Sequence, residues 1–432
     1  MFARFRSGAV AAALALATAC SQSSDLAANP NPAVNPAPDF GRIETDAKFA
    51  KPIQHVVIIF QENRTPDNLF RGLRGADTTP SVALTQLPLA SSMDFNHTHQ
   101  GFLNNFAHGF SGPELGYVKR QDVQPYFTMA EQYAFADRMF QTNEGPSFPA
   151  HQYIVSGAST IEKGSPLIAA ESPIVAGLGA IHTGGCDSPP ATLVALIDPT
   201  GSESQTAYPC FDRPAITDLL KAKGLSWRYY QYVVGPGMWN AFDAIKHVHD
   251  SPEYQTNVIA PPGTFLTDIN TKGLAAVTWI TPTSAASDHA PETDGSGPSW
   301  VAAVVNAIGQ SKYWDSTAIF ITWDDWGGWY DHVKPQELTS YELGFRVPLV
   351  MVSPYVKKGC VSHVNHEFGS ILKFAEKTFA LGSLGTTDVR SDDLADCFDF
   401  TQAPRKFKKI SAPLPPSHFL KQPAGGAAPD DD

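Results

Sequence analysis

Seven residues, Thr317-Ala318-Ile319-Phe320-Ile321-Thr322-Trp323, run without a charge and stop at two adjacent carboxylates, Asp324 and Asp325. A run that does not alternate apolar with polar predicts a strand covered on both faces. That requirement calls for layers, with helices packed on each side of a central sheet. The pattern recurs along the chain. The apolar run from Val56 to Phe60 ends in Gln61-Glu62-Asn63. Residues 275–280 lead towards Ser287-Asp288-His289, residues 347–352 stop at Ser353-Pro354, and 226–232 read as an aromatic strand. Helical periodicity marks 126–140, 300–309 and 368–379. Strands alternating with helices predict an α/β fold with a mainly parallel central sheet flanked by helices. Residues 161–212 have little periodicity and read as a loop-rich excursion.

In open α/β sheets, ligands gather outside the carboxyl ends of the strands. Glu62, Asn63, Asp324 and Asp325 would present oxygens there, suited to a hard or borderline divalent cation. The competing readings are turn caps at Asp324 and Asp325, and a capped helix start at Thr65-Pro66 after Glu62-Asn63. His289 follows a third strand as a candidate ligand or acid. His97 and His99 are two residues apart, so in an extended segment only one reaches a given site; a solvated loop histidine is the alternative for each. Ser147 follows the Gly145-Pro146 turn where a helix should begin, with Gly157 as its stop. A serine there is either an N-cap or a nucleophile at the positive end of the helix dipole. A Ser-His-Asp hydrolase is disfavoured, because no Gly-x-Ser-x-Gly surrounds Ser147.

The net charge of −12 argues against a nucleic-acid partner. Nothing points to a protein partner. Arg4 and Arg6 precede a short apolar run that ends in Ala17-Thr18-Ala19-Cys20. Residues 1–19 therefore read as a signal peptide, and Cys20 as the candidate lipidation site of a membrane-anchored lipoprotein. Pro-rich residues 20–50 read as a tether, residues 51–410 as one catalytic domain, and 411–432 as a disordered tail. The implied location is the cell envelope, periplasm or exterior. Export makes disulfides possible, and the remaining cysteines allow three connectivities. Neighbour pairing, preferred here, joins Cys186 to Cys210 and Cys360 to Cys397.

The stretches Val56 to Phe70, Gly145-Pro146-Ser147-Phe148-Pro149, Ser287-Asp288-His289-Ala290-Pro291 and Trp323-Asp324-Asp325-Trp326-Gly327-Gly328-Trp329-Tyr330-Asp331-His332 resemble the bacterial phosphoesterase family. Gly344-Phe345-Arg346-Val347-Pro348 fits it as well, and the resemblance runs over about residues 52–400. That family holds phosphatidylcholine-type phospholipases C and related acid phosphatases on an alkaline-phosphatase-like core. The resemblance implies a metal-dependent phosphoric ester hydrolase. Glu62, Asn63, Asp324 and Asp325 would bind a divalent metal ion of unspecified identity. Ser147 would attack phosphorus to give a phosphoserine, and His289, with His97, would attend the phosphoryl group and the leaving oxygen. Asp331 and His332 would orient the site or bind a second ion, unless they only shape the Gly-Gly turn. Where the family's phospholipases carry Asn-Arg, this chain has Ala150-His151. The substrate would be a phospholipid or a phosphomonoester. The alternatives are a serine carboxylesterase and a non-catalytic ligand-binding lipoprotein.

Overall fold

The computed structural model describes residues 52–176 and 183–425. The expected signal peptide, Cys20 and the tether up to residue 50 lie outside the described residues. The main sheet has eight strands: β1 His55–Gln61, β2 Ala134–Ala136, β3 Trp227–Tyr230, β4 Val258–Ile259, β5 Val277–Ile280, β6 Thr317–Trp323, β7 Leu349–Val352 and β8 Cys360–Ser362. Their order across the sheet is β4-β3-β5-β1-β6-β7-β2-β8. Every neighbouring pair is parallel except those made by β7, which runs against both β6 and β2. The sheet is thus mixed, with parallel pairs dominant.

The central strands are apolar because both faces are covered. Val56 to Gln61 and all of β6 are buried. Helices α1 (Ser147–Ser156), α2 (Gly297–Gly309) and α3 (Phe368–Phe379) help to cover them. α1 packs against α3, while α2 packs against Gln124–Gln132 and Phe265–Thr271. The register of the two central strands fixes which polar residues meet beyond the sheet. β1 and β6 pair in parallel from His55 opposite Thr317 to Gln61 opposite Trp323. Glu62-Asn63 and Asp324-Asp325 therefore leave the sheet side by side.

Three expectations change. The helical period over 126–140 covers a helix, Gln124–Gln132, and then β2. Ala134, Phe135 and Ala136 are buried between β7 and β8, and that pairing overrides the local pattern. The excursion at 161–212 contains a small antiparallel sheet built on Thr192–Ile197, which pairs with Ile168–Ala169, Ile174–Val175 and Gln205–Ala207. The tail expected from residue 411 is a packed strap as far as residue 425. Asn306 of α2 exchanges two hydrogen bonds with the Ile410 backbone, at 2.9 and 2.8 Å. Phe419 is fully buried against Trp300. Isolated apolar anchors hold a segment whose composition reads as loose. Disulfides join Cys186 to Cys210 and Cys360 to Cys397. Among the described residues no helix is long and apolar enough to cross a membrane.

Candidate active site

The two central strand ends are stitched together before any side chain is considered. Asp324 N–H donates to the Gln61 carbonyl at 3.1 Å, and Arg64 N–H to the Asp325 carbonyl at 3.0 Å. Asn63 adopts a left-handed conformation, φ 59°, tolerated better by Asn than by most residues. Its N–H then points at Asp324 Oδ1, 3.0 Å away. Gly327, at φ 60°, passes so close that a Cβ would stand 2.6 Å from Asn63 Cβ. Only glycine fits there. Its N–H holds Asp325 Oδ1 at 2.7 Å. Glu62, Asn63, Asp324 and Asp325 are all buried.

Ser147 is the first residue of α1. The cap position is Pro146, and no side chain caps the helix. The Ser147 hydroxyl instead donates to Asp325 Oδ2 at 3.2 Å. The turn before it is braced by Asn143 and Gln141, whose side-chain amides donate to the Gly145 carbonyl at 2.8 and 3.1 Å. Gln141 Oε1 also accepts the Trp326 N–H at 2.9 Å. One glutamine thus ties the serine turn to the carboxylate loop, a role no sequence pattern signals. α1 ends at Gly157 with φ 61°, as expected.

The histidines sort by direction. His97 Nε2 accepts from Asn63 Nδ2 at 2.8 Å, and its Nδ1 bonds to the Phe95 carbonyl at 2.7 Å. That arrangement assigns a neutral ring with the proton on Nδ1. The His97 and His289 rings lie 5.5 Å apart. His99 turns away, with Nδ1 on Glu203 and its ring edge-on to Tyr341. His289 stands on a clamped backbone. Its N–H donates to Ser287 Oγ at 3.2 Å, and Arg64 donates to the preceding Asp288 carbonyl at 2.9 and 2.5 Å. The Asp288 carboxyl accepts from Tyr126 at 2.9 Å and from Trp323 at 3.0 Å. Burial pushes that carboxyl up to about 6 and pushes the Arg64 guanidinium down to about 10.

Asp331 and His332 lie in a separate buried network. Arg346 grips both Asp331 oxygens at 2.8 and 2.9 Å and donates to the Asp77 and Asp137 carbonyls. His332 bridges Asp67 and Asp77 at 2.7 and 2.9 Å. This network ties down the exit of the Gly-Gly loop, and Asp67, Asp331 and His332 offer ligand atoms within 4.8 Å of one another, so it is also a group that could hold a second cation. His363, exposed at the surface, pairs with the buried Asp137.

One group that could hold a cation includes a residue outside the expected four oxygens. Glu62, His151 and Asp324, all buried, offer ligand atoms within 4.8 Å of one another. Asn63 Oδ1 is buried and accepts no hydrogen bond, and neither does Asp324 Oδ2. Two carboxylates and an imidazole suit a divalent cation. Asp325 stands beside them on the serine. His151 stood out in the sequence only as a departure from the family's Asn-Arg, not as a ligand. The available signal was its spacing, four residues after Ser147 on the same helix face.

The profile described as the Phosphoesterase family matches residues 53–382, more than half of the chain. The chain is similar to the hemolytic phospholipase C of Pseudomonas aeruginosa, with 24% identity covering 81% of this chain and 56% of that protein. It thus spans little more than half the length of that relative. Phospholipase C B of Mycobacterium tuberculosis is 22% identical, over 82% of this chain and 79% of that one. Among solved structures, a protein of the alkaline phosphatase superfamily from Vibrio parahaemolyticus matches with a TM-score of 0.41 and 12% identity, covering 83% of this chain and 73% of that one.

Proposed function

This chain belongs to the phosphoesterase family, and from that premise we propose that it hydrolyses phosphoric ester bonds with Ser147 as nucleophile beside a bound divalent metal ion. One observation carries the reading. The Ser147 hydroxyl sits at a helix N-terminus yet caps nothing, and donates to Asp325 next to a cation-capable cluster.

Glu62, Asn63 and Asp324 are the residues that would hold the ion, with Asp325 beside them sharing its carboxylate between that group and the Ser147 hydroxyl. When bound, it would lower the pKa of the serine hydroxyl and neutralise phosphate charge. The chain's own groups do the rest. Asp325 Oδ2 takes the proton of Ser147 Oγ as the oxygen attacks phosphorus. The Ser–O–P bond forms, the ester P–O bond breaks, and His289 gives a proton to the departing oxygen. Backbone N–H groups at the start of α1 receive the phosphoryl oxygens. His97, fixed by Asn63 and Phe95, stands beside His289 with the rings 5.5 Å apart. Water then cleaves the phosphoserine, with the roles of acid and base reversed. A Ser-His-Asp carboxylesterase would need an imidazole as the hydroxyl's partner, and here the partner is a carboxylate.

The relatives named phospholipase C make a phospholipid-type diester the first substrate class to test, beside a phosphomonoester. Our reading extends to export, with residues 1–19 as signal peptide and Cys20 as the lipid-bearing residue. The test is hydrolysis of a chromogenic phosphomonoester and a phosphocholine diester, before and after chelation. Ser147→Ala should lower kcat by at least about 10³-fold while leaving the fold intact. An acid quench of the wild type should trap phosphate on Ser147, detectable by mass spectrometry. Full activity in Ser147→Ala would remove the serine from the mechanism.

A further inference from the structure

We propose that His151 is itself a ligand of the metal ion, and that its imidazole makes this site select a borderline ion such as Zn2+ over Ca2+ or Mg2+. The proposal rests on the phosphoesterase reading and deepens it by naming the class of metal.

The helix sets the position. His151 follows Ser147 by one turn of α1, so the helix that presents the nucleophile also presents the ring. The ring is packed between Trp239, parallel to it at 6.3 Å, and Phe60 at 5.5 Å. Its Nε2 lies 3.2 Å from Glu62 Oε1 and 3.6 Å from Asp324 Oδ2, and all three side chains are inaccessible to solvent. Two donors about 2.0–2.2 Å from a tetrahedral Zn2+ ion stand roughly 3.4 Å apart, so these separations fit atoms that share an ion, and the shorter one also fits a hydrogen bond between Nε2 and Glu62 Oε1.

The rival reading is a charged imidazolium paired with the acids. It accounts for less. A single Nε2–H can be given to only one oxygen, while Nε2 faces a carboxylate oxygen on each side. Asp324 Oδ2 and Asn63 Oδ1 are each buried without a hydrogen-bond donor, and a cation beside Nε2 would satisfy Asp324 Oδ2. Amide chemistry agrees, since Asn63 gives its Nδ2 to His97, which leaves the oxygen for the ion. An all-oxygen set accommodates Ca2+ or Mg2+ readily, whereas an imidazole nitrogen shifts preference towards Zn2+ and its first-row neighbours.

The experiment strips metal from the full-length protein and equilibrates it with Zn2+, Mn2+, Ca2+ and Mg2+ together. Bound metal is then counted by mass spectrometry for the wild type and for His151→Gln. The wild type should take up Zn2+ in preference to Ca2+, and His151→Gln should lose at least about tenfold of that preference. A wild type without the preference, or a variant that keeps it, overturns the proposal. Should the variant fail to fold, Cu2+ on wild type replaces it. Nitrogen splitting in its electron paramagnetic resonance spectrum is expected, and an all-oxygen spectrum refutes the proposal. Hydrolysis lost on chelation and restored equally by Ca2+ and Zn2+ would sink this proposal and leave the phosphoesterase reading standing. Hydrolysis indifferent to chelation would sink the metal-dependent reading and this proposal together.

Discussion

Asp288 illustrates how much a residue next to the chemistry can matter without touching substrate. Tyr126 and Trp323 hold its carboxyl, and Arg64 holds its carbonyl, so the backbone that carries His289 has little freedom. Burial pushes the carboxyl up to about 6, against the attraction of Arg64 and the hydrogen bonds of Tyr126 and Trp323. An Asp in the unfolded chain ionises near about 3.9. Between roughly pH 4 and pH 6 the folded state keeps a proton that the unfolded state has lost, so stability falls as pH rises through that window. Asp331, also raised to about 6 by burial, adds to the same slope. Asp288→Asn should flatten the slope by up to roughly 2–3 kcal/mol, read from urea midpoints between pH 4 and 6.5. An unchanged slope in the variant would contradict the assignment. Residue by residue, legibility was uneven. Ser147 was visible in the sequence with two meanings, while its hydrogen bond to Asp325, 178 residues later, was not. His151 was present only as a departure from a family pattern.

Among elements, the β1–β6 register decides the site. Seven parallel pairs, ending with Gln61 opposite Trp323, bring out Glu62-Asn63 level with Asp324-Asp325. A slip of one residue would turn every side chain to the opposite face of the sheet. The loop after β6 locks the junction, because Gly327 passes over Asn63 with φ 60° and no room for a Cβ. Gly327→Ala should cost about 1–3 kcal/mol in backbone strain and crowding, and should disturb Asn63 and Asp325 together. Chemical denaturation and metal affinity should therefore fall in parallel. A variant that loses neither would mean that the loop can move aside. Strand existence was legible from apolar runs such as Val56 to Phe60. The strand nature of Ala134–Ala136 was not, because three short residues gain their strand character from β7 and β8 and carry no period of their own.

For the whole molecule, the unexpected part is the strap at its end. Trp314 Nε1 holds the Arg405 carbonyl at 2.7 Å, Phe407 lies where a Cβ on Gly309 would be, and Phe419 fills a site against Trp300. The strap follows α2 from its last turn to its first. Phe419→Ala should therefore destabilise the domain by about 3 kcal/mol, as a core phenylalanine does. A loose tail would tolerate it within about 0.5 kcal/mol, a difference that thermal and urea unfolding both resolve. Such a strap is hard to read in advance. It repeats no period and attaches by single anchors spaced along Pro-rich chain.

What the sequence determined by itself is the chemistry of local runs. Unbroken apolar strands demand two covering layers, polar residues at strand ends demand a ligand or a turn, and cysteines 24 and 37 residues apart in the chain find their neighbours. What only the tertiary structure decided is which polar groups meet. His97 enters the site while His99 leaves it, Gln141 bridges two loops, and His151 joins Glu62 and Asp324. The physical reason is distance along the chain. Asn63 and Asp324 are 261 residues apart and share a hydrogen bond because two strands pair in one register. Local propensity acts over a few residues and cannot encode that meeting, whereas the packed sheet imposes it.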